Sequence, residues 1–237
     1  MARELVDGVW LFDLGFVPPF RSNAYLVDES VMDDVDGDDL TLCDTGLRWN
    51  RPSIASEFES AGHDPADLDR VLLTHYDLDH VGGLRTLLAN FEGPVYIGGP
   101  DHDMLTGDDM PAPLHHKGMF HRLTRRLFPL PDAADVRRVA DGDRIGNFTA
   151  HATPGHNPGH VVYHHDGGVA ILGDLLWEDD GGLRPPFWLD SYDMRELRES
   201  VIALADRIGP FEVAAMGHGK PIVADGDDAL RTLADGL

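Results

Sequence analysis

Two histidines and two aspartates crowd the six residues from His75 to His80, within "LLTHYDLDHVGGL". These groups bind cations or move protons. They follow directly on the apolar run Val71-Leu72-Leu73, which reads as a buried strand. A polar tip on a buried strand is delivered to the rim of a sheet. The same arrangement recurs in "CDTG", "TPGH", "LGD" and "MGHGK", each at the end of an apolar run. Strands of a sandwich end together at one rim, so residues far apart in sequence can meet there. The set that would meet is His75, Asp77, Asp79, His80, His156, Asp174 and His218.

Imidazole suits borderline metals such as zinc, and carboxylates favour harder ions. Seven such groups exceed what one tetrahedral ion needs. They match two ions with a shared carboxylate, a type of site in which the metals lie about 3.5–4 Å apart and activate water between them. No "GxSxG" nucleophile elbow, Walker loop or dinucleotide-binding glycine fingerprint occurs. The chemistry expected is therefore metal-dependent.

The elements that must position these residues fall into two groups. "ELVDGVWLFDLG", "NAYLVDE", "LTLCDTG", "DRVLLTH" and "PVYIGG" read as strands of the first half. "MDDVDGDD" is an acidic turn between Val31 and Leu40. "RPSIASEFESAG" is a helix with Ile54, Phe58 and Ala61 on one face, Ser53 as its cap and Gly62 at its end. "VGGLRTLLAN" reads as a second helix, expected to hold Asp79 and His80 at its start. "VRRVADGDRIG", "FTAHATPG", "HVVYHHDGG" and "VAILGDLLW" resume the strands, and "HHDGG" reads as a hairpin. "DMRELRESVIALADRI" is a helix with the stripe Met194, Leu197, Val201, Leu204 and Ile208 and a capping-box pair, Asp193 and Glu196. "FEVAAMGHGK" is a last strand and "DGDDALRTLADGL" a closing helix. Strands grouped with helices in this way predict an α+β architecture of two sheets with helices outside.

With 237 residues, no repeat and no low-complexity linker, a single domain over 1–237 is expected. The pattern breaks at about 100–131, where "DHDMLTGDDMPAPLHHKGMFHRLTRRLFPLP" reads as a lid-like insertion with some helix of its own. There, His115, His116 and His121 lack an obvious partner set and are expected to face solvent, as are Arg122, Arg125 and Arg126. Trp177, Phe187 and Trp188 could line a pocket or simply pack. Cys43 reads as a small buried apolar residue.

The charge balance is extreme: 42 acids against 19 bases, a net charge of -23. Only Lys117 and Lys220 are lysines. This resembles the cytoplasmic proteins of haloarchaea, whose dense carboxylates stay hydrated in concentrated salt. Scarce lysine argues against a nucleic-acid surface. No apolar run approaches the roughly 18 residues of a membrane span, and the start lacks a secretory signal. The expected setting is the cytoplasm, with no membrane partner and a small-molecule substrate.

The motifs, taken in order, resemble the metallo-β-lactamase fold superfamily. "THYDLDHVGG" is similar to its "THxHxDHxGG" signature, "TPGHNPGH" to its "TPGHTPGH" segment, and "LGD" and "GHGKP" to its later aspartate and histidine motifs. "SNAYLV" and "LCDTG" resemble its first strands, so the likeness runs from about Arg21 to Pro221. It implies a four-layer αββα sandwich with two divalent metal ions at one edge, zinc by default and manganese or iron as alternatives. The chain looks more like the glyoxalase II-like branch than the β-lactam-cleaving one. It ends soon after "GHGKP", so a glutathione-gripping extension and a flavin domain are not expected.

By the same resemblance, His75 and His156 match ligands of a first metal. Asp79, His80 and His218 match ligands of a second, and Asp174 the carboxylate between them. Asp44 matches an acid that orients a liganding histidine, and His160 a supporting residue. Asp79 is the best single catalytic candidate. Asp77 departs from the family, which usually has histidine there. It could bind metal and harden the site toward manganese or iron, bind zinc with altered affinity, or leave the first site weak or empty. The function implied is hydrolysis of a small ester, thioester or lactone. A phosphodiesterase or nuclease of the same fold and a non-catalytic metal-binding protein are the alternatives.

Overall fold

The structure, a computed structural model, describes residues 1–15, 21–33, 35–129 and 135–237. Residue 34 of the acidic turn and the end of the expected insertion, 130–131, lie outside them.

Seven strands form the first sheet in sequence order: β1 (Arg3–Val6), β2 (Val9–Gly15), β3 (Arg21–Asp28), β4 (Leu40–Cys43), β5 (Arg70–Leu73), β6 (Val95–Gly98) and β7 (Val136–Val139). β1 to β4 run antiparallel and β4 to β7 parallel. The second sheet contains β8 (Arg144–Ile145), β9 (Phe148–Ala152), β10 (Val161–His165), β11 (Val169–Gly173) and β14 (Val213–Met216), in the order β14-β11-β10-β9-β8. Between β11 and β14 lies a small hairpin of β12 (Trp177–Asp179) and β13 (Gly182–Arg184). "HHDGG" is the β10–β11 hairpin turn, with His165 paired to Val169.

Side chains alternate across each strand, so a sheet covered on both faces must be apolar on both. Phe12, Leu26, Leu42 and Leu73 of the first sheet face one way and pack with Ile54, Phe58, Leu84 and Leu87. Their neighbours Leu11, Tyr25, Cys43 and Leu72 face the other way and meet Phe148, Val161, Tyr163 and Ile171 of the second sheet. On the far side, Val162, Leu172 and Met216 pack with Leu197, Val201, Leu204 and Leu230. Three cores between four layers make the αββα sandwich that the motifs imply.

The helices are α1 (Ile54–Ala61), α2 (Leu78–Val81), α3 (Leu84–Leu87), α4 (Gly99–Thr106), α5 (His116–Leu127), α6 (Met194–Arg207) and α7 (Gly226–Ala234). α1 keeps its expected ends: Ser53 accepts from the Ser56 amide and Gly62 is left-handed at φ 83°. In α6, Asp193 accepts from the amides of Arg195 and Glu196. Its buried Leu197, Val201 and Leu204 each contribute roughly 1.5–3 kcal/mol by leaving water, far more than helix propensity does.

The helix expected from "VGGLRTLLAN" differs. It is two short pieces, and Asp79 and His80 lie in α2, before the glycine pair, not at the start of the longer helix. The reason is close packing. A Cβ on Gly83 would strike the backbone of Thr45, and one on Gly82 would strike the Leu78 carbonyl. Two glycines in succession also weaken a helix.

Candidate metal centre

The ends of β4, β5, β11 and β14 share one rim and deliver Asp44, the His75–His80 segment, Asp174 and His218. The loop between β9 and β10 adds His156 and His160. Within this rim, ligand atoms of His75, His80 and Asp174 lie within 4.8 Å of one another, as do those of Asp79, His80 and His218, and those of His75, Asp77 and His156. All seven expected ligands are thus brought together. Asp44 and His160 lie behind them.

Asp44 is held at φ 61°, a left-handed conformation that aspartate tolerates better than most residues. Its Oδ1 accepts from the Thr74 amide and its Oδ2 from the Thr74 hydroxyl, each at 2.8 Å. Oδ2 also accepts from His80 Nδ1 at 2.9 Å. That bond fixes the ring and turns Nε2 toward the rim, 3.6 Å from Asp174 Oδ1 and 3.9 Å from Asp79 Oδ2. His218 Nε2 approaches Asp174 Oδ2 at 3.0 Å and Asp79 Oδ2 at 3.4 Å, and its Nδ1 is held by the Arg21 carbonyl. Burial opposes charge on both rings. The carboxylates of Asp174, Asp44 and Asp79 outweigh that for His80 and raise it well above the usual histidine range. Asp174 and Asp79 push His218 up to about 9. The field at these nitrogens favours positive charge.

Three observations fit a divalent ion here. His80 Nε2 and Asp174 Oδ1 are buried and without a hydrogen-bond partner, which is costly for polar atoms unless a ligand satisfies them. Gly217 leaves the room: a Cβ there would collide with Asp174 Oδ1 and stand 2.7 Å from His80 Cε1. Two imidazoles and two carboxylates are a donor set that zinc, iron or manganese accept.

The other half of the rim is built differently. Lys117, on α5, is 4% exposed. Its Nζ donates to Asp77 Oδ2 at 2.8 Å and to His156 Nε2 at 2.8 Å. Its third N–H donates to the Asp190 carbonyl at 2.7 Å, with the His156 carbonyl alongside at 3.3 Å. Asp77 Oδ1 accepts from His121 Nε2 and Asn157 Nδ2, both at 2.9 Å. Burial would raise the Asp77 carboxyl, but Lys117, His75 and His121 overcome it and hold the group well below the usual range. Burial, then the nearby Lys117 charge, lower His156. Burial and the His80 ring drive His75 well below the usual histidine value. Burial thus disfavours charge on both rings, and the His156 Nε2 lone pair faces the Lys117 ammonium.

His121 is therefore a correction to the expectation of a solvated residue. It is 2% exposed, fixed to Asp77, and its Nδ1 lies 3.2 Å from the Tyr192 hydroxyl. Arg122 and Arg125 brace backbone rather than face water freely: Arg122 Nε donates to the Pro111 carbonyl and Arg125 to that of Met104. Phe187 and Trp188 are exposed, while Trp177 is partly buried 5.4 Å from the His218 ring. His160 is pinned by the Thr153 hydroxyl at 2.8 Å and packs 5.3 Å from the His75 ring.

Sequence reasoning missed Lys117, Asn157, Asp101 and Asp190. Asp101 accepts from the Tyr76 and Gly159 amides and from Asn157, and burial pushes it up to about 6. Burial pushes Asp190 up to about 7, against the pull of Lys117. One signal was available for Lys117. It is one of only two lysines in the chain, and it stands among histidines.

A two-sheet sandwich with a histidine and carboxylate cluster at one edge defines a metal-dependent class of hydrolase folds. The chain belongs to the metallo-beta-lactamase superfamily, whose family model matches residues 17–215. It is similar to the probable metallo-hydrolase YybB of Bacillus subtilis, 28% identical over 79% of each chain. It is also similar to a hydroxyacylglutathione hydrolase of Aeromonas salmonicida, 32% identical over 59% of this chain and 44% of that one. Among solved structures it resembles TTHA1623 in a di-iron-bound form, with TM-score 0.65 and 26% identity over 92% of this chain and 96% of that one. It shares its fold with the archaeal superfamily protein ST1585 of Sulfolobus tokodaii, with TM-score 0.67 and 20% identity over 98% and 86%. No helix among the described residues is long and apolar enough to cross a membrane.

Proposed function

We propose that the chain is a metal-dependent hydrolase of a small ester, thioester or lactone, holding its cation on Asp79, His80, Asp174 and His218. The observation that carries this reading is the buried, unpartnered His80 Nε2 facing Asp174 Oδ1, with its far nitrogen fixed by Asp44. A divalent cation held by such groups supplies Lewis acidity and makes water acidic enough to attack near neutral pH. Zinc is the first ion to test, with iron(II) and manganese beside it.

The chain's own residues divide the remaining work. Asp79 is partly exposed at the open side of the cluster and can accept a proton from attacking water. Ser22 donates to the Asp79 carbonyl at 2.7 Å and steadies that turn. Asp44 and Thr74 orient His80 and His75. A divalent cation at this rim would favour a substrate that develops negative charge on oxygen. Met119, Phe120, Phe187 and Trp188 are exposed apolar groups on the two segments that enclose Lys117, which suits an acyl chain or ring. The hydroxyacylglutathione hydrolase likeness supports a thioester, and the hydrolase-named relative supports hydrolysis generally. The acid-rich composition, at 42 acids to 19 bases, is read as adaptation to a salt-rich cytoplasm.

The test is a substrate panel on metal-loaded protein in concentrated KCl: thioesters, lactones, β-lactams and bis-nitrophenyl phosphate. Turnover of an acyl substrate that Asp79→Ala abolishes, with the fold intact by circular dichroism, is expected. Cleavage of the phosphodiester alone, or no turnover by fully loaded protein, would reject the acyl-hydrolase reading.

A further inference from the structure

The family arrangement expects a cation on His75, His156 and the residue at 77. His75 Nε2 is buried without a partner and could serve one, but the other two side chains do not fit it. His156 Nε2 and Asp77 Oδ2, the atoms that would face such an ion, both face Lys117 Nζ at 2.8 Å. A metal on those atoms would lie about 2.0–2.2 Å from each. It would need the lone pair that already receives the ammonium proton, and it would stand beside a like charge.

We propose that Lys117 is a built-in cation that replaces the first metal, so that the chain binds one metal ion, on the Asp79, His80, Asp174 and His218 side of the rim. Four further observations support it. Lys117 is buried and held by the Asp190 carbonyl besides its side-chain partners, so the ammonium is positioned rather than draped. Its helix is braced against the segment that precedes it and against α4. Gly118 lies so close to the backbone of Ala112 that a Cβ would collide with it, and Arg122 and Arg125 tie α5 to Pro111 and Met104. Asp77 has both oxygens satisfied without metal, by Lys117, His121 and Asn157. The identity of residue 77 also gains a reason: a carboxylate neutralises an ammonium, whereas a neutral imidazole would not. Asp77 and Lys117 thus form one substitution in physical terms. The cation changes from metal to ammonium and the ligand from imidazole to carboxylate.

The assignment rests on the metallo-hydrolase reading, and metal counting tests it without reference to activity. Full-length protein is stripped with chelator, reloaded with excess zinc or iron(II), desalted, and its metal measured by mass spectrometry. One ion per wild-type chain is expected. Lys117→Ala, and the double variant Asp77→His with Lys117→Ala, should rise toward two. His156→Ala should keep one, and His218→Ala should lose it. Two tightly held ions per wild-type chain would overturn the assignment while leaving the metallo-hydrolase reading intact, and this readout needs no variant to fold. A count that stays at one in folded protein of both lysine-free variants would also overturn it. No metal in any form would reject the assignment and the metallo-hydrolase reading together.

Discussion

Asp44 is buried behind the cluster, yet it determines how His80 presents itself. Its carboxylate takes the His80 Nδ1 proton and two donors from Thr74, leaving Nε2 to face the rim. Partners of this kind typically contribute 10–100-fold to metal affinity. Asp44→Asn is a suitable probe, because asparagine accepts the left-handed backbone as readily while the charge and one of the two acceptor oxygens are removed. Competition with a fluorescent chelator should show affinity falling about 10–100-fold, with near-ultraviolet dichroism unchanged. An affinity equal to wild type would mean that His80 is oriented by packing alone. The seven rim residues were legible in sequence because they follow apolar strands in recurring polar motifs, and Asp44 because the order of those motifs resembles the family's. Lys117 and His121 were not. They come from α5, about forty positions from Asp77, in a stretch with no strand period to say which way a side chain points. What brings them in is the packing of that helix on the 190–192 segment.

The elements themselves follow the sequence where periodicity and caps agree. α1 and α6 have both an apolar stripe and capping side chains, and both begin where expected. The glycine pair shows the opposite case. Its apolar neighbours suggest one helix, while the Thr45 backbone against Gly83 and the Leu78 carbonyl against Gly82 leave no room for a side chain at either position, and the helix is divided there. β9 and β10 carry a measurable consequence of burial. His151 of β9 pairs with Val162 in the register. Burial, then the charges of Arg207 and His164, lower it from 6.5 to about 4. The folded state therefore prefers the neutral ring, and the unfolded chain takes up the proton first. This contribution to stability is fully present above pH 6.5 and is lost as pH falls toward 4. His151→Gln removes that linkage. Between pH 7 and pH 5, scanning calorimetry should show a smaller fall in Tm for the variant than for wild type. An identical fall in both proteins would show that His151 titrates alike in the folded and unfolded states.

At the scale of the whole molecule, the dominant quantity is the net charge of -23. Surface pairs such as Arg144–Asp166, Arg207–Asp141 and Arg231–Asp227 engage some of the acids. With 19 bases, at most 19 of the 42 acids can be paired one to one. Each exposed pair contributes only about 0–1 kcal/mol. Salt weakens these pairs, but it also screens repulsion among the many unpaired carboxylates. The Debye length shrinks from about 10 Å at 0.1 M to about 3 Å at 1 M, shorter than most separations between like charges on a surface. Repulsion acts over more pairs and longer distances than attraction does, so screening has a net stabilising sign. Raising KCl from about 0.1 M to about 1 M at neutral pH should therefore raise Tm. The rise should shrink near the pI of 4.6, where the molecule carries little net charge and there is little repulsion left to screen. KCl suits the comparison better than sulfate, which strengthens apolar burial regardless of charge. An increase of equal size at both pH values would assign the salt effect to burial, and no increase at neutral pH would mean that the carboxylates are spaced widely enough not to oppose folding.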